Sequence, residues 1–136
     1  DKTHIIGSSD SSTADDGNLR VSFIGNYYEN AVQRLPRVRY GRVHALNNYF
    51  SGNKSSTNYA FSYAFGVGKS SKIYSEANYF EVTGATVSNL LSTGMSGTTF
   101  YDAGSYLNGS SVDINSAYSY SSDVGWTPSS FARRVW

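Results

Sequence analysis

From residue 19 the chain alternates between apolar and polar positions: Leu19, Val21 and Phe23 are apolar, and Arg20 and Ser22 between them are polar. Side chains of a strand point to its two faces in turn, so the pattern predicts a half-buried strand with Leu19, Val21 and Phe23 inward and Arg20 and Ser22 outward. The stretch runs on into Gly25-Asn26-Tyr27-Tyr28. The same order returns as Gly41-Arg42-Val43-His44-Ala45-Leu46-Asn47-Asn48-Tyr49-Phe50 and as Ser71-Lys72-Ile73-Tyr74-Ser75-Glu76-Ala77-Asn78-Tyr79-Phe80. Each copy has a basic residue, then a β-branched residue, then Asn-Tyr-aromatic five positions later.

The asparagines of the three copies stand 22 and then 30 residues apart, an irregular repeat with an insertion in its second interval. One such unit cannot bury its own apolar face, but stacked units bury a continuous one, which predicts a solenoid of parallel strands. Asn26, Asn48 and Asn78 then fall above one another at one corner, where each amide offers both donors and acceptors to the next rung, and the aromatic residues after them stack likewise. An antiparallel sandwich would not explain the coincident Asn-Tyr-aromatic register. Tyr59, Phe61, Tyr63 and Phe65 in the insertion alternate strictly before Gly66-Val67-Gly68 and predict one more strand. Coils are therefore expected over about residues 1–82, with loops and short strands packing on them over about 83–136.

Composition supports this all-β reading, with twelve Tyr and seven Phe among 136 residues that are otherwise rich in Ser, Thr, Asn and Gly. There is no Cys, which excludes a disulfide scaffold and thiolate metal sites. The apolar runs are far shorter than the ~20 residues of a membrane span. A formal net charge of +1 argues against a general nucleic-acid binder. The charge is local. Gln33-Arg34-Leu35-Pro36-Arg37-Val38-Arg39-Tyr40-Gly41-Arg42 holds four of the eleven Lys and Arg residues beside one of two prolines. Pro36 stiffens the segment and biases Leu35 toward extended geometry. Strand-like alternation beyond it places Arg37 and Arg39 on one face and Val38 and Tyr40 on the other. Guanidinium groups crowded in this way repel unless an anion lies among them, so the segment reads as an anion site, with a solvated basic loop as the alternative. The loop 7–18 holds Asp10, Asp15 and Asp16 but lacks the alternating ligands and closing Glu of a calcium loop.

The words and spacing of Asp1-Lys2-Thr3, Ile6-Gly7-Ser8-Ser9-Asp10, Asp15-Asp16-Gly17-Asn18-Leu19-Arg20-Val21, Arg34-Leu35-Pro36-Arg37-Val38-Arg39 and Val43-His44-Ala45-Leu46-Asn47-Asn48-Tyr49 together resemble the pectate lyases of polysaccharide lyase family 1. Val124-Gly125-Trp126-Thr127-Pro128 resembles that family's tail. The resemblance implies an incomplete right-handed single-stranded parallel β-helix, the carboxy-terminal portion of a secreted, extracellular enzyme. It implies β-elimination on polygalacturonate or pectin, with Arg34 matching the proton-abstracting residue and Lys2 and Arg39 matching substrate binders. It also implies calcium, whose family carboxylates precede the Asp-Lys-Thr stretch, so no metal ligand is assigned in this chain. A monomer, or a chain paired with a separate amino-terminal segment, is the expected state, and this chain alone is expected to be poorly active.

Eliminating a 1,4-linked uronate requires a base for the proton α to the C6 carboxylate, cations for the charge that develops, and loss of the C4 oxygen. Arginine is ordinarily cationic, so a base role needs neighbouring cations; at an effective dielectric near 20, one such charge ~4 Å away disfavours the cation by about 4 kcal/mol. Two other readings remain open at this stage, a pectin lyase acting on methylated polymer and a non-catalytic module that binds acidic polysaccharide. His4 and His44 are expected to be hydrogen-bonded structural residues.

Overall fold

The computed structural model describes residues 1–128 and 135–136. Short strands wind into three stacked sheets. The first contains β1 (Ile5–Ile6), β4 (Arg37–Val38), β7 (Phe65–Val67) and β10 (Leu91–Ser92); the second contains β2 (Arg20–Ile24), β5 (Arg42–Leu46), β8 (Lys72–Glu76) and β11 (Phe100–Ala103). The third contains β3 (Tyr27–Tyr28), β6 (Tyr49–Asn53), β9 (Tyr79–Thr83), β12 (Tyr106–Leu107) and β13 (Ser110–Ser111). Successive members pair in parallel, and β13 alone among these strands returns antiparallel on β12. Each turn of chain visits the three sheets in order, the winding of a parallel β-helix.

Alternation sets what each turn buries. In β2, Val21 and Phe23 face in while Arg20 and Ser22 stay exposed, as the pattern predicts. The register stacks Val21, Val43, Ile73 and Phe100 in one interior column. Tyr28, Phe50 and Phe80 form another, with ring centroids 4.8 Å apart at both steps and the planes within 11° of parallel. Phe50 and Phe80 have no exposed surface, and each contributes about 1.5–3 kcal/mol by leaving water.

The corner between the second and third sheets carries the amide ladder. Asn26 Nδ2 donates to Asn48 Oδ1 at 3.1 Å and Asn48 Nδ2 to Asn78 Oδ1 at 3.0 Å. The backbone N–H groups of Asn26 and Asn48 reach the same acceptors. The outer tyrosines stack beside it, Tyr49 on Tyr79 at 5.2 Å and Tyr79 on Tyr106 at 6.1 Å.

Two expectations change. Coils do not stop near residue 82: β10, β11 and β12 build a fourth rung in register with β7, β8 and β9. There Ser105 stands where the earlier copies have Asn, its hydroxyl accepting from Asn78 N at 3.1 Å and donating to Asp102 at 2.6 Å. The alternating aromatics of the insertion also pair over a shorter span than expected. Phe61, Tyr63 and Phe65 are buried and Tyr59 is half exposed, but the strand comprises only Phe65–Val67, where Gly66 admits a neighbouring backbone closely. Beyond the fourth rung, α1 (Ile114–Ala117) buries Ile114, and the tail crosses the second sheet, with Trp126 on Tyr74 at 5.9 Å.

Candidate active site

Residues 33–40 lie between two neighbouring segments and are hydrogen-bonded to both. On one side Lys2 bridges Gln33, His4 N donates to the Arg34 carbonyl at 2.8 Å and Arg39 N to that of Ile6 at 2.8 Å. On the other side Leu35 N donates to the Ala64 carbonyl at 2.7 Å and Tyr40 N to that of Lys69 at 2.8 Å. The stretch opens and closes on left-handed residues, Arg34 at φ 59° and Tyr40 at φ 60°. Non-glycine side chains strain such backbone, and it persists only where the surroundings over-determine it. Hydrogen bonds from both sides do that here, fixing where the arginine side chains leave the sheet.

Arg37 and Arg39 leave on the outer face while Val38 is fully buried, so the alternation predicted around Val38 is what the fold uses. Two glycines of the next rung make room. A Cβ on Gly66 would stand 3.0 Å from Arg37 Cγ, and one on Gly68 would stand 2.2 Å from the Val38 carbonyl oxygen and 3.1 Å from Arg39 Cγ. The methylene stems of both arginines therefore lie flat over glycine. Tyr40 is buried like Val38, on the face opposite the arginines, and its hydroxyl donates to the Asp10 carbonyl.

Arg39 is braced by the loop 7–18. Its Nε donates to Asp10 Oδ1 at 2.9 Å, and Nη1 reaches the Gly7 and Ser8 carbonyls at 3.3 and 3.4 Å. Nη2 makes no hydrogen bond to the described residues, so this end of the fork is left for another acceptor. Asp10 was not apparent from the sequence as part of this cluster; the only signal was a carboxylate in a loop preceding a basic segment. Arg34 Nε and Arg37 Nε are buried and donate to no group among the described residues. Lys2 is exposed on the rung beside Gln33 and Arg34. Lys2, Arg34, Arg37 and Arg39 thus come from two adjacent rungs at one edge of the first sheet.

The histidines lie elsewhere in function. The His4 ring packs on Phe23 at 4.9 Å and against Tyr28 at 5.7 Å, and burial pushes its pKa below the usual 6.5. His44 Nε2 meets Glu76 Oε1 at 3.3 Å. Among the described residues no three His, Asp or Glu side chains converge as a metal site would need, and Asp10 of the acidic loop is engaged by Arg39.

Stacked three-sheet coils with a fixed cationic edge define a parallel β-helix protein suited to an anionic ligand. The chain belongs to the pectate lyase family, whose profile matches residues 1–133. It is 51% identical over 129 residues to a pectate lyase of Bacillus subtilis (strain 168), covering 95% of this chain and 31% of that protein. A solved pectate lyase bound to hexasaccharide superposes with a TM-score of 0.87 at 48% identity, covering 92% of this chain and 32% of that one. A polygalacturonate lyase fused to a self-assembling amphipathic peptide gives 0.91 at 47% identity, covering 97% and 34%. The chain spans about a third of the length of the curated relatives it matches.

Proposed function

We propose that this chain carries the catalytic arginine of a secreted pectate lyase that cleaves 1,4-linked α-galacturonan by β-elimination. The observation that supports the reading is that Lys2, Arg34, Arg37 and Arg39 lie on adjacent rungs of the first sheet, with the Arg37 and Arg39 stems seated over Gly66 and Gly68. Cations set this close together repel one another, and a substrate carboxylate among them offsets that repulsion. Arg34 is held by the backbone in one orientation and takes the proton from C5, α to the C6 carboxylate. The electron pair forms the C4–C5 double bond as the C4–O bond breaks, and the departing oxygen takes up a proton. Lys2 and Arg39 bind substrate carboxylates, and with Arg37 they stabilise the charge that develops on the carboxylate in the transition state.

Calcium, which the family relation implies, has no fitting donor set among the described residues, and no step is drawn through it.

The test is ultraviolet absorbance of unsaturated product released from polygalacturonate at alkaline pH by the full-length protein. Arg34→Lys keeps the charge but loses the planar fork, so turnover falls by orders of magnitude while substrate binding is largely retained. Near-normal turnover in Arg34→Lys would show that another group is the base.

A further inference from the structure

The outer face of the second sheet carries another cationic cluster, which the proposed reaction does not use. Register sets Arg20 beside Arg42 and Arg42 beside Lys72, each one strand spacing, ~4.8 Å, from the next. Like charges opposed across a ladder repel, and none of the three has an ion-pair partner among the described residues. The carboxylates nearby are engaged otherwise: Glu76 meets His44, and Asp123 accepts from Gly125 N at 3.1 Å.

A concave pocket opens over the first two of these cations. Arg20, Ser22, Arg42 and His44 form its floor, and Trp126 and Pro128 of the tail form its wall. The Trp126 indole is kept in place edge-on to Tyr74. Two guanidinium groups on adjacent rungs suit a carboxylate between them, the Ser22 hydroxyl suits a sugar hydroxyl, and an indole suits the C–H face of a pyranose ring. The combination is that of an acidic-sugar site. A nucleic-acid strand fits less well, because a near-neutral chain and a single indole offer neither the broad basic field nor the row of stacking platforms that such a strand uses.

We propose that this pocket is a second binding site, for a uronate unit of an acidic polysaccharide, with the carboxylate between Arg20 and Arg42 and the ring against Trp126. It lies on a different sheet from Arg34 and so tethers polymer without occupying the reacting cleft, raising the local concentration of substrate strands. The inference rests on the proposed function for its class of ligand and on nothing else in it.

Trp126 reports on the site directly. In a Trp136→Phe background it is the only tryptophan of this chain, and its fluorescence is followed while trigalacturonate, neutral galactotriose or oligothymidylate is added to the protein. Trigalacturonate is expected to change the emission and galactotriose to leave it unaltered. The added pair Arg20→Gln and Arg42→Gln is expected to weaken the response by roughly tenfold or more, while turnover of trigalacturonate stays at the parent rate and retention on immobilised polygalacturonate drops. No emission change, or one that survives the double substitution, overturns the proposal. A stronger response to oligothymidylate than to trigalacturonate overturns it in favour of a nucleic-acid site. The emission measurement does not depend on catalysis, so a protein that binds trigalacturonate here but releases no unsaturated product would fail the proposed function and leave this site standing. Arg34→Lys, which alters only the first sheet's edge, serves as the matched control and is expected to keep the Trp126 response.

Discussion

Asn48 shows how much one side chain can carry in a solenoid. It has no exposed surface, its Oδ1 accepts from Asn26 twice, and its Nδ2 donates to Asn78 Oδ1 and to the Phe23 carbonyl at 2.9 Å. Removing the amide strands partners on both neighbouring rungs at once. Asn48→Ala should therefore lose about 3 kcal/mol in a urea titration, the upper end of what unsatisfied buried groups cost; a loss within error of zero would mean that the ladder is decorative. His4 is the residue whose ionisation opposes folding. Burial between Phe23 and Tyr28 holds its pKa below 6.5, so the unfolded chain binds the proton more readily. Its contribution is complete above 6.5 and is lost as pH falls through that value toward the lower folded pKa. The denaturation midpoint should drop between about pH 7 and 5, and His4→Phe should flatten that drop. An unchanged slope in the variant would rule His4 out as its source.

At the level of elements, legibility followed length and chemistry. The strands of the second sheet are four or five residues long, so alternation around Val21, Val43 and Ile73 had room to show. The Asn ladder was legible because a buried corner amide has few substitutes. The fourth rung escaped because Ser105, with Asp102 and Ser75, makes the same turn from different groups: Ser75 Oγ donates to Asp102 Oδ1 at 2.6 Å and accepts from Asn78 Nδ2 at 2.8 Å. In the first sheet the alternation around Val38 and the aromatic run ending at Phe65 were legible, whereas the two-residue strands Ile5–Ile6 and Leu91–Ser92 carry no period. Its arginines were visible as composition, whereas the glycines that seat them and the loop that braces Arg39 depend on contacts between distant segments. That brace makes its own prediction. Asp10 is half exposed in its pair with Arg39, so Asp10→Asn should change stability by less than about 1 kcal/mol. Arg39 would lose its orientation, however, and under the proposed mechanism KM for polygalacturonate should rise several-fold with kcat within about twofold. Unaltered KM would separate the loop from substrate binding.

For the molecule as a whole, stacking makes stability a matter of position. β5 and β8 are each paired on both sides, whereas β2 is paired only with β5 in the second sheet. The gradient is visible in burial: Val43 and Ile73 are fully buried, Val21 and Phe23 only partly, and Ile5, Ile24 and Tyr27 are exposed. The far end is different, because β13 folds back on β12 and α1 lays Ile114 into the core. In a nearest-neighbour solenoid each rung's opening energy is its own stability plus its interfaces, so a rung with one interface opens more often than a rung with two. Hydrogen exchange of this chain should accordingly be slowest for residues 43–46 and 73–76, faster for 100–103 and fastest for 21–24. Adding a segment that pairs with β2 should slow 21–24 and leave 73–76 nearly as before. Uniform protection across all four rungs would mean that the coils open as one unit, and the rung-by-rung account of this fold would have to be abandoned.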